Sequence, residues 1–278
     1  MTVIDTHAHV YASAKQAHRF PTVENPYLPP PDKGTMEHLS AERERWDVER
    51  VVLIQTFTAY ARDNALLADC AREHRDWTVG VCNLDPVDPQ SPERFRELVE
   101  QHNVRGLRLE APAEGDFYNS GSVEIMRTAR EIGAVICAHI HRPHFLGLDQ
   151  LLAEFPDVDV VLDHCAYPDV SEGSEGPTPQ AVVALARHSR LHVKLTFLVT
   201  SSAQDYPFSD THAIAHRIID AYGVERCMWG SDFPCELWLK KATYGEHIAV
   251  IAEELGLAAE QLAQILSETA RRVWFFDK

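Results

Sequence analysis

No apolar run in the 278 residues approaches the roughly 18 needed to cross a bilayer, and no basic stretch followed by a hydrophobic one opens the chain. A cytoplasmic protein without a membrane partner is the expectation. Basic residues are scarce, 26 Lys and Arg against 42 Asp and Glu, for a formal charge of −16. That field repels nucleic acid and anionic lipid, so any anionic ligand would have to be met by local cations. The six cysteines, Cys70, Cys82, Cys137, Cys165, Cys227 and Cys235, form no Cys-x-x-Cys pair and sit largely in apolar runs, as reduced, packed thiols do. Cys165, although next to His164, reads the same way rather than as a nucleophile. A phosphate-binding glycine loop is missing, and Ser231 stands in Trp-Gly-Ser-Asp rather than in a Gly-x-Ser-x-Gly elbow. With 45% hydrophobic residues, disorder and fibrous classes are excluded.

What the chain does have is repetition. Short β-branched or apolar runs recur at 3–7, 51–55, 77–82, 104–109, 135–140, 158–163, 191–195 and 227–230. Between several of them, apolar residues keep helical spacing, as in Leu67/Cys70/Ala71/His74, Phe95/Leu98/Val99/His102 and Ile214/Ile218/Ala221/Tyr222. Ser91-Pro92 reads as a helix start with Ser91 as the cap. About eight strand–helix repeats in this length predict an α/β fold, a (β/α)8 TIM barrel, as one domain over residues 1–278.

Segments entering the strands are short, such as residues 47–50 and 155–157, whereas several leaving them are long. A proline-rich stretch (Pro21, Pro26, Pro29, Pro30, Pro31) follows the first strand and a Gly/Ser/Glu/Pro segment at 171–179 follows the sixth. A loop with Tyr206 and Phe208 follows the seventh, and one with Phe233, Trp238 and Tyr244 the eighth. Long loops gathered at the C-terminal face are where barrels build pockets.

Asp5-Thr6-His7-Ala8-His9 ends the first strand with two imidazoles on one face, half of a tetrahedral site for a divalent ion. His164 ends the sixth strand and Asp232 the eighth, at the same mouth. On the fifth, Val135, Cys137, His139 and His141 share a face, so either His139 or His141 could reach the site, His139 being nearer the strand's end.

The order His-x-His, His, His, Asp along strands one, five, six and eight resembles the amidohydrolase superfamily. The wording Ile4-Asp5-Thr6-His7-Ala8-His9, Gly106-Leu107-Arg108-Leu109, Leu162-Asp163-His164-Cys165, Val193-Lys194-Leu195 and Trp229-Gly230-Ser231-Asp232-Phe233-Pro234 is similar to its amidohydrolase-related branch of TIM-barrel hydrolases and lactonases. The resemblance covers residues 3 to about 274. It implies a metal site of His7, His9, His139 and Asp232, catalytic roles for Asp232 and His164, and a lactonase-like reaction. Two-metal relatives bridge their ions with a carboxylated lysine ending strand four. Here that strand ends Arg108-Leu109-Glu110, so the resemblance implies one ion, zinc or manganese, with Glu110 as an additional ligand. Some lactonase relatives work without metal.

These residues permit Asp232 to take a proton from water while His164 polarises a carbonyl, and a ring ester suits that apparatus better than an amide. Decarboxylation of an aromatic or unsaturated acid is the alternative. Arg108, Lys194 and Tyr167 are the candidate substrate-binding residues. The two cations suggest a small carboxylated lactone, unless Arg108 pairs internally with Glu110 and Lys194 with Asp163 or Asp232, which would leave neutral sugar lactones. A homo-oligomer is compatible with the sequence.

Overall fold

The computed structural model describes residues 2–238 and 242–276, with the side chains of Glu236 and Trp238 left out. The expected loop residue Trp238 thus lies outside the described side chains. Eight parallel strands, β1 (Val3–Ala8), β2 (Val48–Ile54), β3 (Thr78–Cys82), β4 (Val104–Glu110), β5 (Val135–His139), β6 (Val160–Leu162), β7 (Leu191–Lys194) and β8 (Cys227–Met228), follow one another in sequential order around the sheet. Helices alternate with them, as a TIM barrel requires. The three helical patterns fall on helices Ala65–Glu73, Ser91–Gln101 and His212–Tyr222, with Leu67, Cys70, Phe95, Ile214, Ile218 and Tyr222 buried against the strands. One detail differs from the sequence reading. Gln90 holds the cap position of the second helix, while the Ser91 hydroxyl donates to the Asp85 carbonyl at 2.6 Å instead of capping. All six cysteines are free and buried.

Alternation along the strands separates two cores. One fills the space between barrel and helices. The other lies inside the barrel, where Ile4, Val52, Val79, Val135, Cys137, Val161 and Met228 meet Val273, Trp274 and Phe275 from the C-terminal end of the chain. Helix Thr269–Trp274 thereby plugs the N-terminal end of the barrel, so the interior can open only at the other mouth. Gly106 makes room for the plug: a Cβ there would lie 2.6 Å from the Val135 carbonyl and 3.0 Å from the Trp274 ring.

β8 is only two residues long, and closure onto β1 continues past it. Thr6 N–H donates to the Trp229 carbonyl (3.2 Å), Asp232 N–H to that of His7 (2.8 Å) and His9 N–H to that of Phe233 (2.7 Å). The approach is close enough to need Gly230, where a Cβ would stand 2.7 Å from that of His7. Asp5 staples the same seam from within. It accepts from His7 N–H (3.0 Å), Ser231 N–H (2.9 Å), the Ser231 hydroxyl (2.6 Å) and the Tyr244 hydroxyl (2.8 Å). Sequence reasoning gave Asp5 no role, although an aspartate inside an apolar strand is itself a signal of a buried, fully bonded carboxylate.

Candidate active site

The seam between β1 and the segment after β8 brings three buried donor atoms together. His7 Nε2 lies 3.3 Å from His9 Nε2, and each lies 3.5 Å from Asp232 Oδ1. For an ion bound tetrahedrally at roughly 2.0–2.1 Å, ligand atoms should be about 3.3–3.4 Å apart, so this triangle fits one face of a zinc-like coordination shell. His9 is also backed as a ligand should be, with Nδ1 3.1 Å from the Ile54 carbonyl, which leaves the Nε2 lone pair facing the triangle. Asp232 takes part through a left-handed backbone (φ 56°), reached after the Gly230 contact. Burial pushes its carboxyl up, but its polar surroundings, the imidazoles of His9 and His164 and the Arg108 guanidinium, outweigh this and hold it below the usual carboxylate range.

His139, the expected third imidazole ligand, is not part of this triangle. Its Nδ1 bonds to Glu110 and its Nε2 lies 2.8 Å from the Tyr167 hydroxyl, so both ring nitrogens are engaged elsewhere. Glu110, read as an additional ligand, instead holds His139 and accepts from the Asn83 amide at 2.9 Å. His141 is not in the group either, and its ring stacks on Tyr167 with centroids 5.0 Å apart.

His164 lies just past β6, in a turn whose four residues His164, Cys165, Ala166 and Tyr167 all have positive φ (52°, 48°, 57° and 55°). Left-handed backbone costs a non-glycine residue roughly 1–2 kcal/mol, so this turn is strained along its whole length. Its effect is to stack the His164 and Tyr167 rings, with centroids 4.6 Å apart, and to bring His164 within 4.6 Å of the His7 ring. Burial pushes the His164 imidazole down to about 3, which makes it a neutral N–H donor at physiological pH. Its Nδ1 has no hydrogen-bond partner among the described residues. Burial likewise keeps the Tyr167 hydroxyl protonated far into the alkaline range. The Cys165 thiol packs beneath, donating to the Lys194 carbonyl at 3.3 Å, and burial pushes it up, so it is no nucleophile.

Of the two roles the sequence left open for Lys194, substrate contact or internal pairing, the geometry shows pairing with Asp163. It is fully buried, its ammonium sits 2.9 Å from Asp163 Oδ1, and it lies below the pocket rather than on its wall. Arg108 does reach the pocket, but its Nε donates to Asp163 Oδ2 at 2.8 Å and its Nη1 lies 3.8 Å from Glu110. Asp163 therefore joins the two cations. Burial would raise its carboxyl, and the charges of Lys194 and Arg108 reverse that and hold it well below its usual range.

Above these residues is a cavity of about 390 Å³, lined by His9, Phe57, Thr58, Arg108, Glu110, His139, His164, Tyr167, Thr200 and Asp232. Its size is at the lower end of small-molecule sites, roughly 300–1,000 Å³. Phe57, Thr58 and Thr200 carry no sequence signal: they are ordinary residues in short helical turns after β2 and β7.

A barrel with this His, His, Asp seam is matched over residues 4–276 by the family model described as amidohydrolase. The chain belongs to the amidohydrolase family. It is accordingly an enzyme, a hydrolase. It is 26% identical over 236 residues to L-fucono-1,5-lactonase of Burkholderia ambifaria, covering 83% of this chain and 80% of that one. Among solved structures it is similar to a Pseudomonas putida protein assigned as a 2-pyrone-4,6-dicarboxylic acid hydrolase (TM-score 0.83, 22% identity, 100% and 98% of the two chains). It is also similar to a Burkholderia multivorans amidohydrolase with bound zinc (TM-score 0.80, 22% identity, 99% of each chain). At these identities the two structures establish the shared barrel. No helix among the described residues is long and apolar enough to cross a membrane.

Proposed function

We propose that this amidohydrolase opens the ring ester of a small, uncharged lactone of the sugar-lactone type. The observation that carries the reading is the charge balance of the cavity wall. Among the described residues two carboxylates, Glu110 and Asp232, face the space, and the guanidinium on the wall, Arg108, already faces Asp163 and Glu110. Among the described residues a substrate carboxylate would meet like charge and find no unpaired cation on this wall, whereas hydroxyl groups would find Thr58, Thr200, Tyr167 and Glu110 as partners. The lactonase relative supports the same choice. The carboxylated substrate read from Arg108 and Lys194, and decarboxylation of an acid, are both disfavoured by that wall.

In the reaction, Asp232 takes the proton of a water lying between it and the substrate as the water oxygen adds to the lactone carbonyl carbon. Its depressed basicity is offset by proximity and by burial next to the acceptor. His164, a neutral N–H donor, bonds the carbonyl oxygen as negative charge builds there. When the tetrahedral intermediate collapses, the ring C–O bond breaks, the Tyr167 hydroxyl bonds the departing oxygen, and the proton held on Asp232 completes the alcohol. A divalent ion, when bound, would be held by His7, His9 and Asp232 and would polarise water or carbonyl. Asp232→Asn keeps the shape and removes the proton acceptor. Acid release from a neutral aldonolactone should fall about 10²-fold or more in the folded variant, and activity within a few-fold of wild type would contradict the assignment.

A further inference from the structure

The two histidines of the β1 pair are backed by opposite kinds of group. A metal-ligating imidazole ordinarily gives its second N–H to a carbonyl or carboxylate, which leaves the other nitrogen's lone pair for the ion. His9 follows that rule through the Ile54 carbonyl. His7 does not. Its Nδ1 faces the Nζ of Lys194 at 3.3 Å, while the nearest carboxylate oxygen, Asp163 Oδ1, stands 3.7 Å away, outside hydrogen-bond reach.

Lys194 cannot easily turn aside. It is 0% exposed, and its ammonium is held by Asp163 Oδ1 at 2.9 Å and the Cys137 sulfur at 3.7 Å, over the Trp274 ring at 5.7 Å. An ammonium has three donors and no acceptor. It is therefore satisfied against Nδ1 only if that nitrogen carries a lone pair, which puts the proton of the neutral His7 ring on Nε2. Nε2–H then points at His9 Nε2 (3.3 Å) and Asp232 Oδ1 (3.5 Å), both of which can accept. The chain Lys194, His7, then His9 or Asp232 closes with protons alone.

We propose that Lys194 is a built-in determinant of metal affinity: by fixing the His7 proton on Nε2, it makes the His7, His9, Asp232 site a weak one for divalent cations. To release Nε2 for an ion, the His7 proton must move to Nδ1, where it would confront an ammonium N–H across 3.3 Å in a buried site. The positive charge of Lys194 so close behind the ligand opposes a second cation as well. This concerns the ion site alone and does not depend on which lactone is the substrate.

Zinc affinity of the metal-stripped protein, measured by competition with a chromogenic chelator, tests the proposal. Lys194→Met removes donor and charge at similar length, and zinc should bind at least about tenfold more tightly, the scale on which groups behind a ligand act. Equal or weaker binding by the folded variant would overturn it. Because Lys194→Met also leaves Asp163 one partner short, nitrogen NMR of histidine in wild-type, metal-free protein gives an independent reading. His7 should carry its proton on Nε2 and accept at Nδ1, and a proton found on Nδ1 would overturn the proposal whatever the variant does.

Discussion

Asp163 sits at the centre of the polar layer under the pocket, fully buried between the Lys194 ammonium and the Arg108 guanidinium. Removing its charge leaves the buried Lys194 without its carboxylate and Arg108 with Glu110 alone, so Asp163→Asn should destabilise the fold by about 3–5 kcal/mol at neutral pH. Because the folded-state value of this carboxyl is depressed, its stabilisation is fully present above the unfolded value of about 3.9 and is lost as the pH falls through the lower folded value. Urea unfolding of wild type and variant should therefore show a large gap at neutral pH that narrows only in strong acid. A gap that is absent at neutral pH would contradict this account. Alternation along a strand places Arg108 and Lys194 inside the barrel, and that much was legible from their neighbours. How deep each sits was not, because depth depends on stagger between strands, and β7 stops short, leaving Lys194 below the mouth. The same limit hid the partners of His139, since its ring nitrogens are claimed by Glu110 on the paired strand, in register with it, and by Tyr167 from the next turn.

At the level of elements, the eight strands could be read because parallel strands buried on both faces appear as short β-branched runs. The turn from His164 to Tyr167 could not. Positive φ is ordinarily announced by glycine or asparagine, and here it runs through His, Cys, Ala and Tyr. Its strain has a purpose in the account, because it stacks the carbonyl-polarising imidazole on the tyrosine that meets the departing oxygen. Ala166→Gly tests the strain directly. An alanine at φ 57° loses little when its methyl is removed, so the melting temperature should be unchanged or higher, while turnover should drop as the stack loosens. Destabilisation of roughly 1 kcal/mol, the cost of glycine in ordinary regular structure, would show that the turn is not strained as described.

Over the whole molecule, the −16 charge and the pocket wall act in the same direction. The long-range field repels anions, and at short range Glu110 and Asp232 face the cavity while Arg108 is matched from behind by Asp163. The barrel, its open mouth and the His, His, Asp seam were accessible from the sequence because strand order fixes which end each residue occupies. The choice between a neutral and a carboxylated lactone stayed open in the sequence, because it depends on which cations are already paired, a property of packing, and the proposed preference for an uncharged ligand rests on that packing. The most direct measurement is kcat/KM of the purified enzyme on a neutral aldonolactone and on a lactone of the same ring size bearing a carboxylate, compared at low ionic strength. The account predicts that the neutral lactone is favoured by about tenfold or more, the equivalent of one like-charge contact of roughly 1.4 kcal/mol. Equal rates, or preference for the carboxylated lactone, would contradict it.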